Sequence, residues 1–100
     1  DCRWTEMAGF PCAGTYVGRD EIFANVFQAL GGMFDDYTFK LERLLDAGED
    51  VVATGVYTAR NKKTGKDFTA RVVHVWGVAG DKIRRFEQFT DTWKVVESMH

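Results

Sequence analysis

Residues 51–92 read VVATGVYTARNKKTGKDFTARVVHVWGVAGDKIRRFEQFTDT. Val51 to Arg60 is rich in Val, Thr and Tyr, the residue types that suit a pleated surface. Asn61 to Lys66 is a hairpin turn, with Gly65 suited to a left-handed position. Phe68 to Val78 is the next strand, Gly80-Asp81 turns the chain, and Ile83 to Thr92 is the last strand. Upstream, Phe39, Leu41 and Arg43 alternate with Lys40, Glu42 and Leu44, and Ala47 to Asp50 forms a turn. A parallel return needs a crossover of about a dozen residues or more, so these short turns allow only antiparallel neighbours. The stretch therefore predicts a four-stranded meander.

One segment before it repeats at helical spacing. Ile22, Phe23, Val26, Phe27, Leu30 and Phe34 recur three and four apart. Asp20 and Glu21 complement the positive end of the helix dipole, and Gly31-Gly32 supplies a stop. The spacing predicts one helix over 19–30. Residues 2–6 read as a short strand. Residues 7–17, with Gly9, Pro11 and Gly14, read as a loop. The tail 93–100 is too short to classify.

The 100 residues make one domain with one core. A net charge of −2 with scattered bases speaks against nucleic acid, which needs a basic field. There is no apolar run of transmembrane length and no signal segment, so neither a membrane nor secretion is expected and the reading is cytoplasmic. Cys2 and Cys12 read as free thiols, and with His74 and His100 they make no zinc spacing. No metal or cofactor is expected. The chain opens on Asp1, not Met, and is expected to have lost residues ahead of it. The eight Phe, three Tyr and three Trp suit a wide pocket lining or a subunit interface.

Turn length decides which residues share a face of a sheet. A three-residue loop closed by Gly65 puts Thr54 opposite His74. A similar turn at Gly80 puts Phe86 opposite His74 and Gln88 opposite Val72, on the same face; a one-residue slip there would bring in Glu87 and Arg85 instead. The expected pocket is then Thr54, His74, Trp76, Phe86 and Gln88, turned towards Phe23 or Phe27 of the helix. Apolar walls with a few polar tips are the usual composition of a ligand pocket. The opposite face would carry Tyr57, Val73, Val75 and Phe89 among Arg71, Arg85, Glu87 and Asp91. A homodimer through that convex face is expected, with the charges paired at its rim.

Three stretches resemble the SnoaL-like family, within the group that shares its fold with nuclear transport factor 2 and ketosteroid isomerase. They are Asp1 to Glu6 followed by Tyr16 to Ile22, Gly65 to Trp76, and Gly80 to Thr92. The resemblance implies an α+β NTF2-like cone: a curved antiparallel sheet with a helix packed on its concave face. It implies a domain over 1–92 that lacks its front helices, which in the steroid isomerases supply a tyrosine of the oxyanion hole. It implies a small apolar ligand, with acid–base isomerase or aldol-cyclase chemistry on a carbonyl compound. The alternatives are a non-catalytic binding module or a structural dimerisation domain. Glu6 matches the general base of the isomerases, and His74 matches their hydrogen-bond donor to the enolate. The acid found in the final strand of other members has Gln88 and Asp91 as its nearest positions. Gln88 cannot transfer a proton. Asp91 can, but the expected register turns it away from the pocket.

Overall fold

The alternating stretch forms the long strands it predicts. The computed structural model describes residues 2–100. In chain order the elements are β1 (Arg3–Glu6), β2 (Gly14–Val17), α1 (Arg19–Ile22), a π-helical turn (Phe23–Phe27), α2 (Gln28–Met33), β3 (Phe34–Ala47), β4 (Asp50–Asn61), β5 (Asp67–Ala79), β6 (Lys82–Thr90) and α3 (Thr92–Glu97). Strands β3 to β6 are the antiparallel meander. Strand β1 adds to β6 in parallel, and β2 pairs back on β1.

The architecture is α+β, but the expected cone is not formed. The six strands run in the linear order β2-β1-β6-β5-β4-β3. Closing a sheet requires its two edge strands to pair. Here the edges are β2 and β3, and they do not pair. The sheet is open, neither closed nor strongly curled, so the helical segment covers one face of an open sheet instead of filling a concavity.

Three local readings also change. Residues 14–17 form β2, not loop, because Tyr16 Oη donates to the carbonyls of Cys12 (3.1 Å) and Ala13 (3.0 Å) and folds the chain back on β1. The helical segment runs on to Met33 through Gly31 and Gly32, and its middle is π-helical. The widened turn changes the stripe: Ile22 and Val26 are buried, whereas Phe23 and Phe27 are about half exposed. The tail forms α3, capped by the Asp91 carboxylate, which accepts from Lys94 N, and anchored by the fully buried Val95.

The turn after β4 holds four residues, not three. Asn61 pairs with Lys66, and the Asn61 Oδ1 accepts from the amides of Lys63 (3.0 Å) and Thr64 (2.9 Å). This Asx-type bonding stabilises the longer loop. One added residue turns every side chain of β4 over. Ala53 therefore stands opposite His74, and Thr54 opposite Val73. Tyr57 moves to the helix-covered face and leaves the opposite one, where Phe89 remains 44% exposed. The apolar patch expected for dimerisation is smaller by that ring.

Candidate functional site

Cross-strand neighbours point to the same face, so the register sets out the site in rows. One row is Glu6, Gln88, His74 and Ala53, on β1, β6, β5 and β4. The next is Trp4, Phe86 and Trp76. Two strand spacings separate Glu6 from His74, about 10 Å between backbones. Tyr57 stands four residues along β4 from Ala53, on the same face.

Tyr37 and Phe39 approach from β3, and each has a backbone cause. A bulge between Asp35 and Thr38, with Asp36 at a φ of 55°, re-aims Tyr37 towards Tyr57, ring centroids 5.0 Å apart. A Cβ at Gly55 would collide with the Lys40 carbonyl and would lie 2.7 Å from the Phe39 ring. Only glycine lets β3 close there and lets Phe39 stack on His74, at 4.5 Å between centroids.

Between this face and the helical segment lies an apolar cavity of about 640 Å³. Trp4, Phe86, Trp76 and Phe39 form its walls on the sheet, and Val26, Phe27 and Leu30 face them from the helix. Trp4 stacks on Phe86 at 3.8 Å, and Trp76 lies 4.4 Å from the same ring. Four polar side chains reach this lining: Glu6, Tyr37, Tyr57 and His74. Tyr57 Oη is 2.5 Å from His74 Nε2, and Gln88 Nε2–H donates to Tyr57 Oη at 3.3 Å. Glu6 is 4% exposed, and its Oε2 is buried without a partner.

Burial sets the electrostatics. It raises the Glu6 carboxyl from its ordinary 4.5 to about 7. The Trp4 indole beside it pulls slightly the other way, although its Nε1–H makes no hydrogen bond. Burial lowers His74 from 6.5 to about 4, so the imidazole is neutral at pH 7. It pushes both tyrosines up, so they stay protonated donors. The site thus holds a carboxyl able to take or give a proton near neutrality, and hydroxyls able to donate to an oxygen.

Glu6 and His74 oppose each other in their effect on stability. Between about pH 4.5 and 6.5 an unfolded chain carries an ionised Glu6 and a protonated His74; the folded chain holds both neutral. The two states bind the same number of protons, so this pair leaves stability flat with pH. Glu6→Gln leaves only His74, whose folded form binds fewer protons. Stability of that variant should rise with pH, by up to about 1.4 kcal/mol per pH unit. His74→Gln leaves only Glu6, whose folded form binds more protons, and stability should fall as pH rises. Urea unfolding at several pH values across this window checks both. Slopes of the same sign in the two variants would contradict the assignment.

Of the residues expected from sequence, the cavity brings together Glu6, His74, Phe27, Trp76 and Phe86. Gln88 is 1% exposed and lies behind Tyr57, not on the wall. Phe23, at the start of the π-helical turn, is about half exposed and lies outside the cavity lining. Thr54 faces the other side of the sheet through the longer turn. Asp91 caps α3 beyond the end of β6, outside the cavity. Sequence reading missed Tyr57, Tyr37, Trp4 and Phe39. For Tyr57 the signal was Asn61, whose side chain favours the four-residue turn.

The SnoaL-like domain family model matches residues 1–86. An NTF2-like protein from Burkholderia thailandensis has a crystal structure that superposes with a TM-score of 0.96 at 56% identity, over 99% of this chain and 76% of that one. An NTF2-like protein from Burkholderia pseudomallei superposes at 0.88 with 25% identity, over 97% of this chain and 75% of that one. TerC, co-crystallised with polyporic acid, superposes at 0.87 with 22% identity, over 99% and 77%, a likeness of fold. No curated protein matches.

Proposed function

The chain belongs to the SnoaL-like domain family, and from that premise we propose that it binds a small, flat, apolar carbonyl compound and moves a proton beside the carbonyl. One observation carries the reading: a buried carboxyl with an unpartnered oxygen shares an aromatic-walled cavity with a hydroxyl–imidazole pair. The rings line the cavity and offer flat faces to a planar ligand. Ionised Glu6 takes a proton from the carbon next to the carbonyl. The Tyr57 hydroxyl donates to the oxygen as charge develops on it, with neutral His74 holding Tyr57 in place. A base and a preplaced donor acting together are the requirements for enolisation. Isomerisation and aldol-type ring closure both pass through such an enolate. That TerC, with the same fold, was crystallised with polyporic acid agrees with a ligand of this kind.

The probe is 2-naphthol, a flat molecule whose hydroxyl imitates an enol. Titration should quench the fluorescence of Trp4 and Trp76 to saturation. Tyr57→Phe removes one hydrogen bond and should weaken binding about tenfold, equivalent to about 1.4 kcal/mol. Unsaturable quenching, or equal affinity for Tyr57→Phe, would contradict the site. Saturable binding without proton exchange would leave a non-catalytic binding module.

A further inference from the structure

Two buried acceptors without partners, Glu6 Oε2 and Gln88 Oε1, belong to residues that are register partners on adjacent strands. Gln88 is 1% exposed and its other amide atom, Nε2, already donates to Tyr57 Oη. Side chains of register partners on adjacent strands point to the same face, and two acceptors cannot satisfy each other. A single proton on Glu6 satisfies both, because the carboxylic acid then donates to Gln88 Oε1. Buried polar atoms are rarely left unpaired, so this arrangement has a cause.

We propose that Gln88 is the positioning residue of this site, a carboxamide that turns over as Glu6 gains or loses its proton and thereby directs the proton of Tyr57. The proposal rests on the functional reading above for its purpose, but its geometry stands without a ligand. With Glu6 protonated, Gln88 Oε1 accepts from the carboxylic acid and Nε2–H donates to Tyr57 Oη. His74 Nε2–H donates to the same oxygen, which fills both lone pairs and leaves the Tyr57 proton for the cavity. With Glu6 ionised, the amide turns: Nε2–H donates to the carboxylate, and Oε1 accepts the proton of Tyr57. His74 keeps its Nε2–H in both states, so no tautomer change is required. The proton count changes only at Glu6.

The consequence falls on the reaction. When Glu6 takes a proton from the ligand carbon, the ligand oxygen becomes an enolate in the same step. The new carboxylic acid draws Oε1 to itself, and the Tyr57 hydroxyl is released from Gln88 towards that oxygen. The donor becomes available at the moment charge appears. The groups placed to perturb this exchange are Trp4 on β1, Cys12 in the following loop, Tyr16 on β2, Tyr37 on β3, Tyr57 on β4 and His74 on β5. None carries a charge near neutral pH: burial pushes Cys12 up to about 12 and lowers His74 to about 4, and Tyr16, Tyr37 and Tyr57 are raised.

The test is side-chain NMR of the ligand-free protein from pH 5 to 9, following Glu6 13Cδ, Gln88 15Nε2 and Tyr57 13Cζ. The proposal expects all three to move with one midpoint. In Glu6→Gln the signals of Gln88 and Tyr57 should stay constant through the range. In Gln88→Leu, Glu6 should still titrate while Tyr57 no longer follows it. A Glu6 transition with Gln88 and Tyr57 unmoved overturns the proposal, as does Tyr57 continuing to follow Glu6 in Gln88→Leu. Should Gln88→Leu fail to fold, the titrations of the wild type and Glu6→Gln decide alone. No ligand enters this experiment, so its failure is separate from any failure of naphthol binding.

Discussion

Phe86→Ala is expected to lower the stability of the domain by about 3–5 kcal/mol, the usual range for deleting a buried phenyl ring. Phe86 is 2% exposed on β6, which joins β1 to the meander. Its ring touches Trp4 at 3.8 Å, Trp76 at 4.4 Å and His74 at 4.8 Å between centroids. It therefore loses both transfer energy and ring contacts on three sides. The neighbours are themselves large rings held by the pleat, which limits collapse into the void. Native domains have a margin of only about 5–15 kcal/mol, so the variant should sit near the edge of folding. Urea unfolding followed by circular dichroism measures the loss. A change below about 1 kcal/mol would mean that the ring cluster is not a support of the site.

Glu6→Gln is expected to slow proton abstraction by about 10²–10⁴, the usual contribution of a placed general base. The amide keeps the shape of the carboxyl and cannot take the proton. Naphthol affinity should change little, since Tyr57 and the rings remain. The pH profile of the wild type carries the same information. Glu6 titrates at about 7, so the rate should rise through neutrality and fall about tenfold per unit below it. Rates within tenfold of the wild type in Glu6→Gln would remove Glu6 from the role of base.

Much of this was written in local pattern. The period of two across 51–92 gave the antiparallel meander, and the last hairpin kept Phe86 and Gln88 on the face of His74 because their parity survived. Their partners shifted by two, past an irregularity at Gly77, so Phe86 stands opposite Trp76. Faces in β4 were lost through a single residue of turn length, which Asn61 decides through its side chain. The position of Tyr57, and with it the centre of the polar site, followed from that one turn. The parallel pairing of β1 with β6 joins residues about eighty positions apart, and no periodicity encodes it. Whether a sheet curls and closes is likewise set by how its two edges meet, not by alternation along any strand. The π-helical turn lies inside an apolar spacing that is unbroken in sequence, and Phe23 at its start stays off the cavity lining.

The most direct measurement is hydrogen–deuterium exchange of 1-tetralone in deuterium oxide, followed by proton NMR with a small amount of protein. This ketone is flat and apolar, and it carries exchangeable hydrogens on the carbon next to its carbonyl. Exchange is expected at that carbon alone, saturating with ketone concentration and stopped by 2-naphthol. Exchange no faster than in buffer, while naphthol shows that the cavity is open and competent to bind, would contradict it.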